Sequence, residues 1–171
     1  CGSGTIPIEA ALVGHNIAPG INRSFACEQW TNLTPAGLSD EVRDEADAQA
    51  DYDVELDIHG YDIDQNMIDI AQENCRAAGL THDITFKQLA VKDWHTDKIN
   101  GVIVANPPYG ERLSDHEAVH ELYRQMGDIY RPMTTWSKYI LTADLEFEKY
   151  YGAPATKRRK LYNGALRTDL F

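Results

Sequence analysis

Gly101-Val102-Ile103-Val104-Ala105-Asn106-Pro107-Pro108-Tyr109 is the stretch on which the architecture of this 171-residue chain turns. Five successive residues without a polar side chain predict a strand buried on both faces, the habit of a parallel sheet covered by helices. Two consecutive prolines then end it, because proline has no N–H to give to a ladder. In α/β sheets ligands sit beyond the carboxyl ends of the strands, so the residues that follow this strand are candidates for chemistry.

Working outward, the remaining pattern agrees with a parallel α/β sheet. Residues 5–13 read as a short helix stopped by Gly14. Residues 15–35 are irregular, broken by Pro19, Gly20 and Pro35, and 38–50 form an acidic, exposed helix. Residues 55–61 make a strand, after which Asp64 caps a helix running to Ala78 with Ile68, Ala71, Cys75 and Ala78 on one face. Residues 84–89 and 138–143 are further strands, and 115–131 a helix with a stripe of Val119, Leu122, Tyr123, Met126, Ile129 and Tyr130. Residues 157–162 and 165–170 flank Asn163-Gly164, a hairpin turn that adds an antiparallel edge pair. Alternating strands and helices predict one Rossmann-like α/β domain over residues 1–171, with the acidic stretch 28–57 as an insertion.

The catalytic candidates are Asn106, Pro107, Pro108 and Tyr109. The Asn106 side-chain oxygen and the Pro107 carbonyl can accept both hydrogens of a planar NH2 group, and Tyr109 can stack on the ring or amide that carries it. This suits methylation of an exocyclic or amide nitrogen. The lone pair there is conjugated and a poor nucleophile, so orientation and stabilisation of developing positive charge are the main needs. The cofactor-binding candidates are Cys1, Gly2, Ser3, Gly4 and Thr5, a Gly-x-Gly turn opening a helix, with Asp62 and Ile63 at the end of a strand, Asp93 and Asn106. A dinucleotide fingerprint wants a third glycine where Pro7 stands, so NAD is disfavoured. Asp62 is placed to accept hydrogen bonds from a ribose diol, or else to assist Asp64 in capping; Asp93 can take an adenine amino hydrogen, or be a plain loop acid.

Other features are set aside as sites. His116-Glu117-Ala118-Val119-His120 matches a zinc-peptidase spacing, yet the apolar stripe puts His116 on its flank and His120 toward solvent, with no obvious third ligand, so no metal is expected. Trp30, Trp94 and Trp136 read as packing residues. Lys157-Arg158-Arg159-Lys160 is equally compatible with a solvated face and with phosphate contact. Cys1, Cys27 and Cys75 are too few and scattered for a disulfide framework, which fits reduced thiols and a cytoplasmic setting. No apolar run approaches the length of a membrane span.

The formal net charge is −11, with 16 basic and 27 acidic residues, which taken whole argues against a binder of phosphate backbones. Its distribution softens that exclusion. Ten acids and one base fall within 28–57, whereas the last 21 residues carry five bases and one acid. The chain opens on a glycine turn rather than Met, and such a turn makes sense only after a strand that delivers it; we expect a fragment of a longer protein.

Cys1-Gly2-Ser3-Gly4-Thr5 with Ile8-Glu9-Ala10-Ala11, Gly60-Tyr61-Asp62-Ile63-Asp64 and Asn106-Pro107-Pro108-Tyr109-Gly110-Glu111-Arg112-Leu113 together resemble the RNA methylase family, in particular the RlmL-type 23S rRNA guanine-N2 methyltransferase domain in its Gram-positive form. The resemblance runs along nearly the whole chain. It implies a class I methyltransferase fold, S-adenosylmethionine (SAM) as methyl donor and RNA as substrate. It also implies a first strand and a THUMP-type RNA-binding domain before Cys1. The strand is central in that topology, so this sequence alone should lack a continuously paired sheet. Adenine N6 methylation of RNA or DNA, glutamine methylation in a protein, and a noncatalytic nucleotide-binding domain remain the alternatives.

Overall fold

The computed structural model describes residues 1–109 and 116–171. Gly110-Glu111-Arg112-Leu113, the second half of the resembling octad, lies outside the described residues. The chain divides into two compact units, one of residues 1–60 and 64–87, the other of 61–63 and 88–171.

The first unit holds α1 (Thr5–Gly14), α2 (Leu38–Asp47), α3 (Gln65–Ala77) and most of β1 (Ile58–Asp62) and β2 (Ile84–Gln88), which pair with each other. Asp64 caps α3 as expected, its carboxylate accepting the Asn66 N–H at 2.9 Å. Ile68, Ala71 and Cys75 are buried at helical spacing, and Cys75 joins Ala11, Leu80 and Ile84 in a small aliphatic core. No residue of α2 is buried, as its run of carboxylates requires. The buried His15 ties the acidic segment down: its Nδ1 meets the Asp51 carbonyl and its Nε2 the Asp83 carboxylate, both at 2.9 Å.

The second unit is a four-stranded sheet in the order β3-β4-β6-β5, with β3 (Gly101–Ala105), β4 (Trp136–Thr142), β5 (Arg159–Asn163) and β6 (Leu166–Leu170). β3 and β4 are parallel, with Ala105 opposite Ile140; β4 and β6 are antiparallel, with Thr142 opposite Asp169. α4 (His116–Tyr130) supplies Val119, Tyr123, Met126 and Tyr130 to a core shared with Ile140, Phe147 and Phe171. Phe147 belongs to α5 (Phe147–Tyr151), a helix of five residues with too little sequence to show a period.

Two ladders, β1-β2 and β3-β4-β6-β5, are thus formed, and among the described residues no ladder joins them. A single continuously paired sheet is not made by these residues. Three expectations need correction. β3 is not buried on both faces: Ile103 and Ala105 pack on the core, but Val102 and Val104 are 63% and 48% exposed. Strand alternation sends them to the face opposite α4, where apolar composition alone cannot create a cover. The hairpin loop is Gly164-Ala165, one residue later than expected, because Asn163 pairs with Leu166. Trp94 and Trp136 do pack edge to face, but Trp30 is 52% exposed and anchors no core. No helix among the described residues is long and apolar enough to cross a membrane.

Candidate functional site

In the first unit the glycine turn leads straight into α1. The Gly4 N–H donates to the Cys1 carbonyl at 3.2 Å, and Gly2 and Gly4 both have left-handed backbone, φ +56° and +83°. The two glycines serve different ends. A Cβ on Gly4 would stand 2.9 Å from the Ala71 Cβ and 3.3 Å from the Phe86 ring, so glycine there lets α3 approach the turn. A Cβ on Gly2 would meet nothing within 4 Å, so there it is the left-handed backbone alone that calls for glycine. α1 begins without a side-chain cap, so first-turn amides remain available to an anionic or carbonyl group. The Asn74 amide holds the Ser3 carbonyl at 2.9 Å, and Ser3 Oγ lies 3.3 Å from Thr5 Oγ1.

In the second unit β3 delivers Asn106 exposed, Pro107 buried, Pro108 exposed and Tyr109 half-buried. The Tyr109 hydroxyl donates to Asn106 Oδ1 at 2.5 Å. An amide oxygen has two lone pairs, so this bond fixes the Asn106 side chain and leaves one acceptor site. Burial pushes the Tyr109 hydroxyl above its ordinary pKa, with the Asn106 bond as the smaller, opposing influence. The hydroxyl therefore stays protonated as a donor at neutral pH.

A chain of hydroxyls beneath the turn was not legible in the sequence. Tyr123 Oη lies 2.9 Å from Thr142 Oγ1 and 3.5 Å from the Pro108 carbonyl, and the Asp144 N–H reaches Thr142 Oγ1 at 3.0 Å. Only one assignment satisfies every group. A carbonyl can only accept, so Tyr123 donates to Pro108; Thr142 then donates to Tyr123 and accepts from Asp144. The contact to Pro108 is the longest of the three. Burial pushes the Tyr123 hydroxyl up to about 12, which keeps it a donor. The sequence signals were a hydroxyl within the α4 stripe and a threonine ending an apolar strand, and each is common in ordinary cores.

Asp62 ends β1 and Ile63 follows it; the Asp62 carbonyl accepts the Leu89 N–H at 2.8 Å and the Gln88 side chain donates to the Ile63 carbonyl at 2.9 Å. The ends of β1 and β2 are thereby held side by side. Ile63 is 72% exposed, and Asp93 is exposed at the close of a short 3-10 turn, Val91–Asp93. Asp62, Ile63, Asp93 and Asn106–Tyr109 fall in the second unit, Cys1–Thr5 in the first.

His120 corrects another expectation. It does not point to solvent: its ring stacks on Tyr150 at 3.6 Å, and its Nε2 lies 3.2 Å from Asp144 Oδ2. The stripe of α4 is wider than expected because α5 brings Tyr150 over it. With Nε2 engaged by Asp144, His120 is an anchor for the hydroxyl chain. Among the described residues no group of three histidine, cysteine or carboxylate side chains is arranged to hold a metal.

Comparison with known proteins places these features in one family. The chain is 51% identical over its full length to a Bacillus subtilis protein named "Putative RNA methyltransferase YpsC", and spans 44% of that protein. It is 37% identical, over 97% of its length, to the "Ribosomal RNA large subunit methyltransferase K/L" of Shewanella baltica, of which it spans 24%. The chain thus spans less than half the length of these relatives. Among solved structures, SMU.472 complexed with SAH superposes at a TM-score of 0.95 with 53% identity, covering all of this chain and 45% of that one. A Listeria monocytogenes structure described as "a predicted N6-adenine-specific DNA methylase" superposes at 0.92 with 55% identity, covering all of this chain and 44% of that one. The fold is therefore the α/β methyltransferase fold of these neighbours, and, with residues 1–170 matching its model, the chain belongs to the family UPF0020, RMKL-like, methyltransferase domain.

Proposed function

We propose that this chain is the catalytic domain of a SAM-dependent RNA methyltransferase acting on an exocyclic base amino group, guanine N2 of 23S rRNA. The observation that carries this reading is the Asn106-Pro107-Pro108-Tyr109 turn at the carboxyl end of β3, a run of acceptors with no N–H on either proline. The fit to SAM rests on two features of the first unit. Gly2 adds no side chain where a ligand would approach, and the start of α1, which has no side-chain cap, offers amides to a carboxylate such as that of methionine. Cys1–Thr5 would hold the amino-acid end, Asp62 and Ile63 the ribose, and Asp93 the adenine amino group. Bound there, SAM supplies an electrophilic methyl group on a sulfonium.

The residues of the turn orient the acceptor nitrogen. Asn106 Oδ1 and the Pro107 carbonyl each take one N–H of the target amino group, which fixes the group so that its lone pair, perpendicular to the ring plane, faces the methyl donor. As the N–C bond forms and the methyl–sulfonium bond breaks, which would leave SAH as a neutral thioether, positive charge passes to nitrogen, and the same two acceptors stabilise it. Water then takes the proton. Tyr109 stacks on the base, which must leave its helix stack to reach the turn. A THUMP-type domain in the longer protein would assist RNA binding.

The test is Asn106→Ala, assayed with labelled SAM and unmodified rRNA. Methyl transfer should fall by about 100-fold or more, while SAH affinity changes by no more than about 3-fold. Transfer at the wild-type rate would overturn the assignment. Nucleoside analysis of the product separates N2-methylguanosine from N6-methyladenosine, since the turn accepts any planar NH2.

A further inference from the structure

The β5-β6 hairpin is not absorbed by that reading. Its register shows where it stands. β6 pairs with β4 through Leu170 and Asp169, opposite Leu141 and Thr142, and just beyond it Phe171 exchanges two 2.9 Å backbone hydrogen bonds with Ile140. Thr142 is the last residue of β4, so Leu166–Thr168 run on past the carboxyl edge of the sheet. Leu166 lies three residues beyond Asp169, about 10 Å at the rise of an antiparallel strand. β3 is parallel to β4, with Ala105 opposite Ile140, so Asn106 leaves the sheet at that same edge. The hairpin therefore overhangs the edge from which the Asn-Pro-Pro-Tyr turn emerges, with β4 between β6 and β3.

What the overhang carries is specific. Lys160 pairs with Asp169 and Tyr162 with Arg167, so strand alternation places these four on one face. Asp169 is 2% exposed and binds two guanidiniums, Arg158 at 2.8 Å and Arg167 at 3.2 Å. A guanidinium has five N–H groups, so each keeps donors for another anion after Asp169 is satisfied. Beside them Tyr162 is 64% exposed, with Lys160 Nζ 5.5 Å from its ring centre. Fixed cations around an exposed aromatic ring are the combination that grips a single-stranded nucleic acid.

Resting on the function proposed above, we propose that this face is a docking platform for single-stranded RNA next to the target base. Tyr162 stacks on a base, while Lys160, Arg158 and Arg167 meet backbone phosphates. Asp169 is the positioning residue that holds the two arginines in place.

The test uses anisotropy of a labelled oligouridylate of about 12 nucleotides, with SAH affinity and thermal unfolding as controls. Tyr162→Ala should weaken binding at least about 10-fold, and Tyr162→Phe, which keeps the stacking ring, should restore it to within about 2-fold. Lys160→Ala should reduce the slope of log affinity against log salt by about 0.7. SAH affinity should be unchanged throughout. A wild-type chain that ignores the oligonucleotide, or Tyr162→Ala and Lys160→Ala variants that bind it normally, would overturn the platform. So would an equal loss of heparin binding in Tyr162→Ala, because heparin has no base to stack. Hairpin-dependent binding without any methyl transfer to RNA would instead overturn the proposed function and leave the platform standing.

Discussion

The two units of this chain are built on opposite principles. The first carries 15 acidic and 4 basic residues and so holds the whole net charge of −11; the second carries 12 of each and is neutral. The first has a small aliphatic core of Ala11, Cys75, Leu80 and Ile84, whereas the second is built on Tyr123, Met126, Tyr130, Ile140, Phe147 and Phe171. A repelling surface over a small core gives little reserve, and an aromatic core under balanced charge gives more. The lesson is that the whole-chain charge describes neither unit: the overhanging basic hairpin belongs to the neutral one, and the acids are gathered in the other.

The largest expected effect tests the core of the second unit. Tyr123→Ala removes a fully buried ring packed edge to face on Phe147, and should lower unfolding free energy by about 4 kcal/mol in urea. Leu80→Ala in the first unit should cost about 2–3 kcal/mol. Equal costs would break the contrast between the cores.

A smaller effect separates the two glycines of the first unit. Gly4→Ala combines left-handed backbone with a 2.9 Å approach to Ala71, and should destabilise by about 2 kcal/mol in thermal unfolding. Gly2→Ala bears only the backbone strain, so about 1 kcal/mol is expected, with a loss of SAH affinity measured by calorimetry. If Gly2→Ala bound SAH like wild type, that glycine would have no part in the site.

The smallest effects are in pH. The Asp51 carbonyl, with the Asp83 carboxylate second, raises the His15 pKa above its ordinary value. A raised folded pKa contributes stability that is full below about 6.5 and is lost as pH rises through the folded value. Asp169 is the reverse case: the Arg158 guanidinium foremost holds its carboxyl below the usual range. Its contribution is present above about 3.8 and lost as pH falls through the folded value. Hydrogen exchange should therefore show the Asp51 region loosening toward alkaline pH and the β5-β6 hairpin loosening in acid. His15→Asn should remove the first trend and leave the second; losing both together would mean the units do not titrate separately.

Local physical chemistry made much of this protein legible from its residues. The Asp64 cap, the α3 face of Ile68, Ala71 and Cys75, the α4 stripe, and the turn after β3 depend on neighbours within a few positions, and periodicity and proline chemistry express them directly. The resemblance carried by the glycine turn and the Asn-Pro-Pro-Tyr octad identified the family. Other features waited for tertiary structure because they need partners distant in sequence. The separate duties of Gly2 and Gly4 depend on Ala71 and Phe86, the turn of His120 inward on α5, and the brace of Pro108 on Tyr123 and Thr142. The exposure of Val102 and Val104 and the overhang of the hairpin follow from which strands pair and in what register. An apolar run specifies a strand by its own composition, but which face is covered is decided only by what the rest of the chain places against it.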